Sequence, residues 1–327
     1  MFESASINAR LSKRISFPEA ITILVVLVIS LFFLFTQTGN YWDYKIFLAT
    51  AQGDFENFFY GYWILPLFTL LAFLPFELSY LLWILLSVFG VFFAARVFNG
   101  NSVLALLSYQ LTFSLFNGQI SGILCGLLGL FWWAIHNKKW EIAGLAMLLV
   151  AAKPQSGGVF VLLLWLFSEV EWKQKARILL IPIIGFVLSL VAYPGWISDI
   201  LTRMDGLITK GNVSLWQWVA GWSLLLLIPI ILFPLNKEKR FLALSAGAML
   251  CLPYFAQNDL LLLFLFPVGY IPVLLGYLPG ILPLLIGYEG QRSGIAVPLY
   301  VYLNTLIPAM IAWIQSKRSI SRKNQQS

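Results

Sequence analysis

The chain has 327 residues, of which 60% are hydrophobic and only 11% are charged, against roughly 25% charged residues in an ordinary soluble domain. A soluble core of this length does not need so much apolar surface, so part of it must face lipid. The composition excludes a soluble enzyme and a disordered chain, and the continuous apolar runs exclude a transmembrane β-barrel, whose strands alternate.

Basic residues indicate the orientation of the chain in the membrane. Arg10, Lys13 and Arg14 precede the first apolar run, and further basic clusters follow at 138–139, 173–177, 237–240 and 317–323. Placing these clusters inside puts most of the 21 basic residues on the cytoplasmic side, with Arg96 among the exceptions, as the positive-inside rule expects. With ~20 residues per span, the sequence predicts an all-α, polytopic inner-membrane protein of about 10–12 transmembrane helices with both termini cytoplasmic.

We expect one membrane-embedded domain, residues 1–327, with a polar cytoplasmic tail at 319–327. Two loops, 39–61 and 195–213, are predicted on the outer side of the membrane. The apolar run 62–75 is predicted to cross the membrane. The run 102–116 is predicted to lie at the outer surface or to re-enter, because one further crossing would place the termini on opposite sides.

The first outer loop carries a candidate catalytic acid. Asp43 follows the first span and is flanked by aromatic residues, and Tyr44 and Tyr60 lie in the same loop. A carboxylate held beside rings at the outer membrane face suits a general base that acts on a hydroxyl group. The alternative interpretation is a solvated loop acid among the Trp and Tyr residues that favour membrane interfaces.

A lysine between two short apolar segments is the most specific of the other features. Lys153 at membrane depth is costly unless it is paired or hydrated, and Pro154 suits the first position of the following helix. An ammonium beside a helix N-terminus favours an anion such as phosphate, although a lysine that reaches the interface is the alternative. Arg203 and Lys210 in the second outer loop are candidate phosphate or headgroup contacts, or plain surface charges.

Other polar residues interrupt the apolar runs and are candidate sugar contacts. Asn117 and Gln119 lie between two apolar stretches, Gln155 follows Lys153, and Asn258 and Asp259 precede a Leu-rich segment. These side chains could bind a sugar or line a polar cavity. Helix caps, helix packing and a dipole-stabilised acid are the alternative explanations.

Taken in order, these features resemble the polyprenyl-phosphate-mannose-dependent α-mannosyltransferases, which are membrane glycosyltransferases of the GT-C type. The resemblance extends from about Tyr41 to Leu265. It is carried by an acid just after the first span and then by Tyr60-Gly61-Tyr62, Leu82-Trp83, Asn117-Gly118-Gln119, Lys153-Pro154 and Pro253-Tyr254 with Asp259.

The resemblance implies a GT-C-like helical bundle and an inverting transfer on the outer or periplasmic face. A monosaccharide, with mannose as the first choice, would pass from a polyprenyl-phosphate donor to a glycolipid or lipid-linked glycan acceptor. Asp43 would be the catalytic base, and Lys153 with Arg203 would bind the donor phosphate. The residues implied in substrate binding are Tyr44, Tyr60, Asn117, Gln119, Gln155, Asn258 and Asp259.

Membrane lipid is the other expected partner, and no metal, other cofactor or nucleic acid is expected. Two different functions remain compatible with the sequence. A transporter or flippase of lipid-linked sugars would also contain a polar cavity within the membrane and few charges. A membrane scaffold subunit without activity would retain the fold without a shared site for Asp43 and Lys153.

Overall fold

The computed structural model describes residues 4–203, 212–286 and 290–324. Within these ranges the regular structure is helical, without a strand. The α-helices are α1 (Ser4–Ser12), α2 (Phe17–Thr36), α3 (Trp42–Ala51), α4 (Leu65–Ala72), α5 (Phe76–Val97), α6 (Ser102–Leu106), α7 (Tyr109–Asn117), α8 (Ser121–His136), α9 (Trp140–Val150), α10 (Val159–Phe167), α11 (Trp172–Ala192), α12 (Trp196–Arg203), α13 (Trp216–Val219), α14 (Leu227–Leu232), α15 (Lys237–Cys251), α16 (Leu261–Phe264), α17 (Ile271–Leu275), α18 (Leu278–Ile286) and α19 (Ala296–Asn324). Short 3₁₀ helices occur at Tyr62–Ile64, Ala220–Leu226, Gln257–Leu260 and Gly290–Ile295, and a π-helical turn at Pro154–Gly158.

Four helices in the described ranges are long and apolar enough to cross a membrane: α2, α5, α11 and a helix at 293–315 that includes most of α19. A further pair, 102–117 with 121–136, passes the same test together but is bent by 117° at the break between its two members. Large apolar side chains on α2 and α11 are exposed, as lipid-facing residues are, including Phe32 and Val191. These features confirm the predicted all-α, polytopic membrane fold.

Hydrogen bonds at the two ends of α2 define two ends of the molecule. At its start, Glu19 pairs with Arg96 at the end of α5, with 2.7 Å between the carboxylate and guanidinium, and accepts a hydrogen bond from Ser102 at the start of α6. After the C-terminal end of α2, the Asn40 amide donates a hydrogen bond to the Asn117 side chain at the end of α7 over 3.2 Å. We call these the Glu19 end and the Asn40 end.

These contacts correct two membrane-crossing predictions. The segment 102–116 starts at the Glu19 end and finishes at the Asn40 end, so it crosses as the broken helices α6 and α7 and does not lie at the surface. The segment 62–75 does not cross. Tyr60, just before it, bonds to Gln119 at the Asn40 end, and Phe76, just after it, packs on Tyr41. The two errors compensate, because one crossing replaces the other.

The same contacts correct the placement of Arg96. We expected it outside or within the membrane, but it lies at the Glu19 end, where it also donates to the backbone oxygens of Lys13 and Arg14. The error followed from counting 62–75 as a crossing, which reversed the direction of α5. Arg96 therefore joins the basic residues of the N-terminal region, which strengthens the charge bias that guided the topology.

Helices α5 and α8 pack closely because glycines face each other at their crossing. A Cβ atom added to Gly126 would lie 2.6 Å from the Cα atom of Gly90. Small residues let helix backbones approach in a membrane, where packing replaces the hydrophobic effect between helices. This crossing fixes the position of α8, which follows the turn that carries Gln119.

The predicted loops contain helices of their own. The first outer loop, 39–61, includes α3, and the second, 195–213, includes α12. The rest of the second loop at 204–211, with Lys210, lies outside the described residues. At the C-terminus, α19 continues to Asn324 through most of the predicted tail, and residues 325–327 also lie outside the described ranges.

Single cysteines test the corrected topology. We expect Glu77→Cys to react with a membrane-impermeant maleimide from the side opposite to Asn101→Cys and Lys139→Cys, because 62–75 does not cross. The native Cys125 and Cys251 are buried and serve as the silent background. Labelling of Glu77→Cys from the same side as Lys139→Cys would contradict this topology, because a crossing at 62–75 would place both residues on the cytoplasmic side.

Candidate active site

Asp43 is held in the first turn of α3, and the packing of α3 depends on a glycine. Tyr44 and Phe47 on this helix are completely buried. Gly118 has a positive φ of 75°, and a Cβ atom there would lie 2.5 Å from the Cβ of Tyr44. A side chain at position 118 would therefore displace α3. With glycine there, α3 packs against the turn between α7 and α8 and lies close enough for Asp43 to hydrogen-bond with Gln119.

A buried ion pair lies next to Asp43. Lys153 Nζ is 2.7 Å from Asp259 Oδ1, and the two side chains are only 4% and 1% exposed. The Ser121 hydroxyl donates to the same carboxylate over 3.4 Å, and the backbone N–H of Ala256 donates to its other oxygen over 3.2 Å. Asn258 in turn donates to the Ser121 hydroxyl over 3.0 Å. Asp259 is thus bound by several donors, as a buried carboxylate requires.

The charges of Asp43, Lys153 and Asp259 interact, and we call these three residues the charged cluster. Loss of hydration raises the pKa of Asp43 to about 6, although Lys153 and a hydrogen bond with Gln119 act to lower it. The Asp43 side chain keeps part of its surface exposed, unlike the enclosed side chains of Lys153 and Asp259. A reachable carboxylate that titrates just below neutral pH has the properties of a general base.

Tyr60 and Gln119 connect the first loop to this cluster. The Tyr60 hydroxyl donates to Gln119 Oε1 over 3.3 Å, which leaves the amide NH₂ of Gln119 to donate to Asp43. The ammonium of Lys153 lies 5.9 Å from the centroid of the Tyr60 ring. The neighbouring backbone is also joined, because the N–H of Gly61 donates to the carbonyl of Ala152 over 2.8 Å.

An apolar groove of about 360 Å³ begins immediately beside Lys153. Pro154 and Gln155, the next two residues, line it together with the aromatic and aliphatic side chains of Tyr60, Trp63, Phe186, Ile197, Leu201 and Tyr254. Ile197 and Leu201 are exposed. Lys153 itself does not line the groove, but its ammonium lies 5.9 Å from the centroid of the Tyr60 ring, which does. A groove of this apolar lining suits a hydrocarbon chain.

Three predicted site residues do not join the charged cluster. Arg203 donates to the backbone oxygens of Phe55 and Glu56 and to the Tyr62 hydroxyl, so it connects α12 to the first loop. Tyr44 is buried under other rings. Asn117 accepts from Asn40 and supports the same loop. The remaining predicted residues, Asp43, Tyr60, Gln119, Lys153, Gln155, Asn258 and Asp259, lie in the cluster or directly around it.

Two residues near the site were missed in the sequence. Ser121 bonds Asp259 and Asn258, and Tyr254 lines the groove. Both lie within sequence motifs that pointed to the site, since Ser121 is two residues after Gln119 and Tyr254 precedes Asn258. A signal was present in each case, but only the fold shows that these motifs meet.

Comparison with known families gives a match to the model of glycosyltransferase family 87 over residues 58–276, more than half of the chain. The chain belongs to this family. The family assignment confirms a membrane glycosyltransferase similar to the GT-C type. The matched range includes Gln119, Lys153 and Asp259 and begins after Asp43. Comparisons with curated proteins and with solved structures give no match.

The ion pair predicts a specific stability pattern. Lys153→Met leaves the buried Asp259 carboxylate without its cation and should lower the free energy of unfolding by about 3–5 kcal/mol. The double variant Lys153→Met with Asp259→Leu removes both charges and should recover most of this loss. Thermal unfolding in detergent measures these stability changes, with Lys45→Met as the exposed control. If the double variant lost as much stability as the two single variants together, a direct interaction between Lys153 and Asp259 would be contradicted.

Proposed function

We propose that this glycosyltransferase transfers a monosaccharide, with mannose favoured, from a polyprenyl-phosphate donor to a glycolipid or lipid-linked glycan, with inversion. The observation that carries the proposal is the apolar groove, whose lining residue Tyr60 lies 5.9 Å from the Lys153 ammonium. A lipid phosphate fits this arrangement, because its head would lie against the ammonium while its isoprenoid chain occupies the groove. A water-soluble sugar nucleotide has no hydrocarbon chain to fill such a groove.

The charge balance suits a phosphate leaving group. Asp259 holds Lys153 in position and offsets its burial. The donor is a phosphodiester with one negative charge, and breaking the bond from the sugar leaves a phosphate with a second negative charge. A fixed ammonium at that oxygen stabilises the developing charge more than the starting charge, which lowers the barrier.

Asp43 would complete the reaction from the other side of the sugar. Its carboxylate accepts the proton of an acceptor hydroxyl, and the hydroxyl oxygen forms a bond to the anomeric carbon. The bond between that carbon and the phosphate oxygen breaks, and its electron pair stays on the phosphate. Gln119 orients the carboxylate through the hydrogen bond that also lowers its pKa. Tyr60 and Gln155, which line the groove, and Asn258, which bonds to Ser121, would contact the sugar.

The charged cluster lies at the Asn40 end of the molecule. With the basic N-terminal region in the cytoplasm, this end faces the outside or the periplasm of the inner membrane. A transporter or flippase of lipid-linked sugars would share the groove and the lysine. The family assignment and the position of Asp43 favour transfer, because transport needs no base.

Loss of the base should abolish transfer. We expect Asp43→Asn to reduce the rate by about 10²–10⁴-fold, the usual contribution of general-base catalysis. The matched control is Asp54→Asn, which changes an exposed acid of the same loop. The assay uses protein in nanodiscs, labelled polyprenyl-phosphate mannose and a membrane-lipid extract, with glucose and arabinose donors in parallel. Equal product from Asp43→Asn and wild type would remove Asp43 as the base.

The raised pKa of Asp43 predicts the pH dependence of the reaction. Only the deprotonated carboxylate accepts a proton, so kcat/KM should fall as pH drops below about 6 and level off above it. Lys153 lowers the pKa of Asp43. The residual activity of Lys153→Gln should therefore begin to fall at a higher pH than that of wild type, whereas Lys45→Gln, at an exposed site, should show the wild-type pH profile. An unchanged pH profile in Lys153→Gln would contradict coupling of the two residues.

A further inference from the structure

A second cavity of about 490 Å³ lies between α12 and the first loop, separate from the apolar groove. Its lining includes aromatic rings, two carboxylates and one guanidinium, and we call it the polar pocket. The residues that matter here are Phe55, Glu56, Tyr62, Tyr193, Trp196 and Asp199. Trp196 lines both the polar pocket and the apolar groove, so the two cavities are neighbours.

Aromatic rings form one wall of the polar pocket. The Tyr62 ring is stacked between Phe55 and Trp196, with centroid distances of 5.1 Å to each and interplanar angles of 15° and 17°. Tyr193 contacts the edge of Tyr62 at 5.4 Å and remains 38% exposed. These rings hold one another in place, so their free surface is rigid and costs little conformational entropy on binding.

Polar groups at the pocket are available to a ligand. Glu56 and Asp199 are exposed, and neither forms an ion pair within the described part of the chain. Arg203, which also lines the pocket, is committed to backbone oxygens and to Tyr62. The buried indole N–H of Trp196 has no acceptor among the described residues. The pocket thus offers carboxylate acceptors beside flat apolar rings.

We propose that the polar pocket binds a saccharide unit of the acceptor. A pyranose ring has an apolar C–H face that packs on aromatic rings, and hydroxyls on its rim that donate to carboxylates. A hydrocarbon ligand would not need Glu56 or Asp199, and an anionic ligand would be repelled by them. Tyr62 is two residues from Tyr60, which contacts Lys153, so a glycan in this pocket extends toward the charged cluster. The proposal rests on the transfer function proposed above.

Saturation-transfer difference NMR on wild-type protein in nanodiscs tests the proposal without requiring transfer. The probes are the methyl glycosides and disaccharides of mannose, glucose, galactose and arabinose. Glu56→Gln and Asp199→Asn should each weaken binding by about tenfold, the value of a hydrogen bond to a charged group. Tyr193→Ala should also weaken it, and Tyr193→Phe should restore it. Glu77→Gln, which changes an exposed acid at the same end of the molecule, should bind as wild type.

Transfer kinetics distinguish this proposal from the reaction itself. If transfer occurs, Glu56→Gln and Asp199→Asn should raise KM for the acceptor and leave kcat and the donor KM unchanged. Unchanged acceptor KM would overturn the pocket assignment and leave the reaction standing. If no donor gives transfer, the proposed reaction is contradicted. Saccharide binding that depends on Glu56 and Asp199 would still support the pocket in that case. No saccharide signal in wild type overturns the pocket assignment.

Discussion

The buried ion pair between Lys153 and Asp259 is the constraint on which the site depends. Neither charge is stable alone at this depth, so the chain must bring the turn after α9 and the turn before α16 together. Ser121 adds the start of α8 to the same contact. Three segments far apart in sequence are thereby fixed around one point, and α3 packs on the turn between α7 and α8, which brings Asp43 beside it.

The different environments of the two carboxylates suggest different roles. Asp259 is enclosed and bound to Lys153, so it holds the cation and has no path to a substrate proton. Asp43 is partly exposed, and loss of hydration raises its pKa to about 6. Two acids of one cluster with separate environments are a recurring way to divide chemistry between holding and proton transfer.

Much of the fold and the site was predictable because composition and motifs report local constraints. Apolar length predicted the helices, and polar breaks in apolar runs marked Gln119, Lys153 and Asp259. Contacts between distant residues were not predictable. The bonds of Glu19 with Arg96 and Ser102, which reverse the assignments of 62–75 and 102–116, have no local signature. The charge of Arg203 suggested a phosphate contact, yet its guanidinium donates hydrogen bonds to backbone oxygens of the first loop.

A cryo-EM structure of the protein in nanodiscs with bound polyprenyl phosphate is the most direct test of the proposed site. We expect the phosphate against Lys153, the isoprenoid chain in the groove lined by Trp63, Phe186 and Tyr254, and Asp43 facing the space beyond the phosphate. A phosphate bound at Arg203, or at the Glu19 end, with Lys153 still enclosed by Asp259, would contradict the donor site and the role of Lys153.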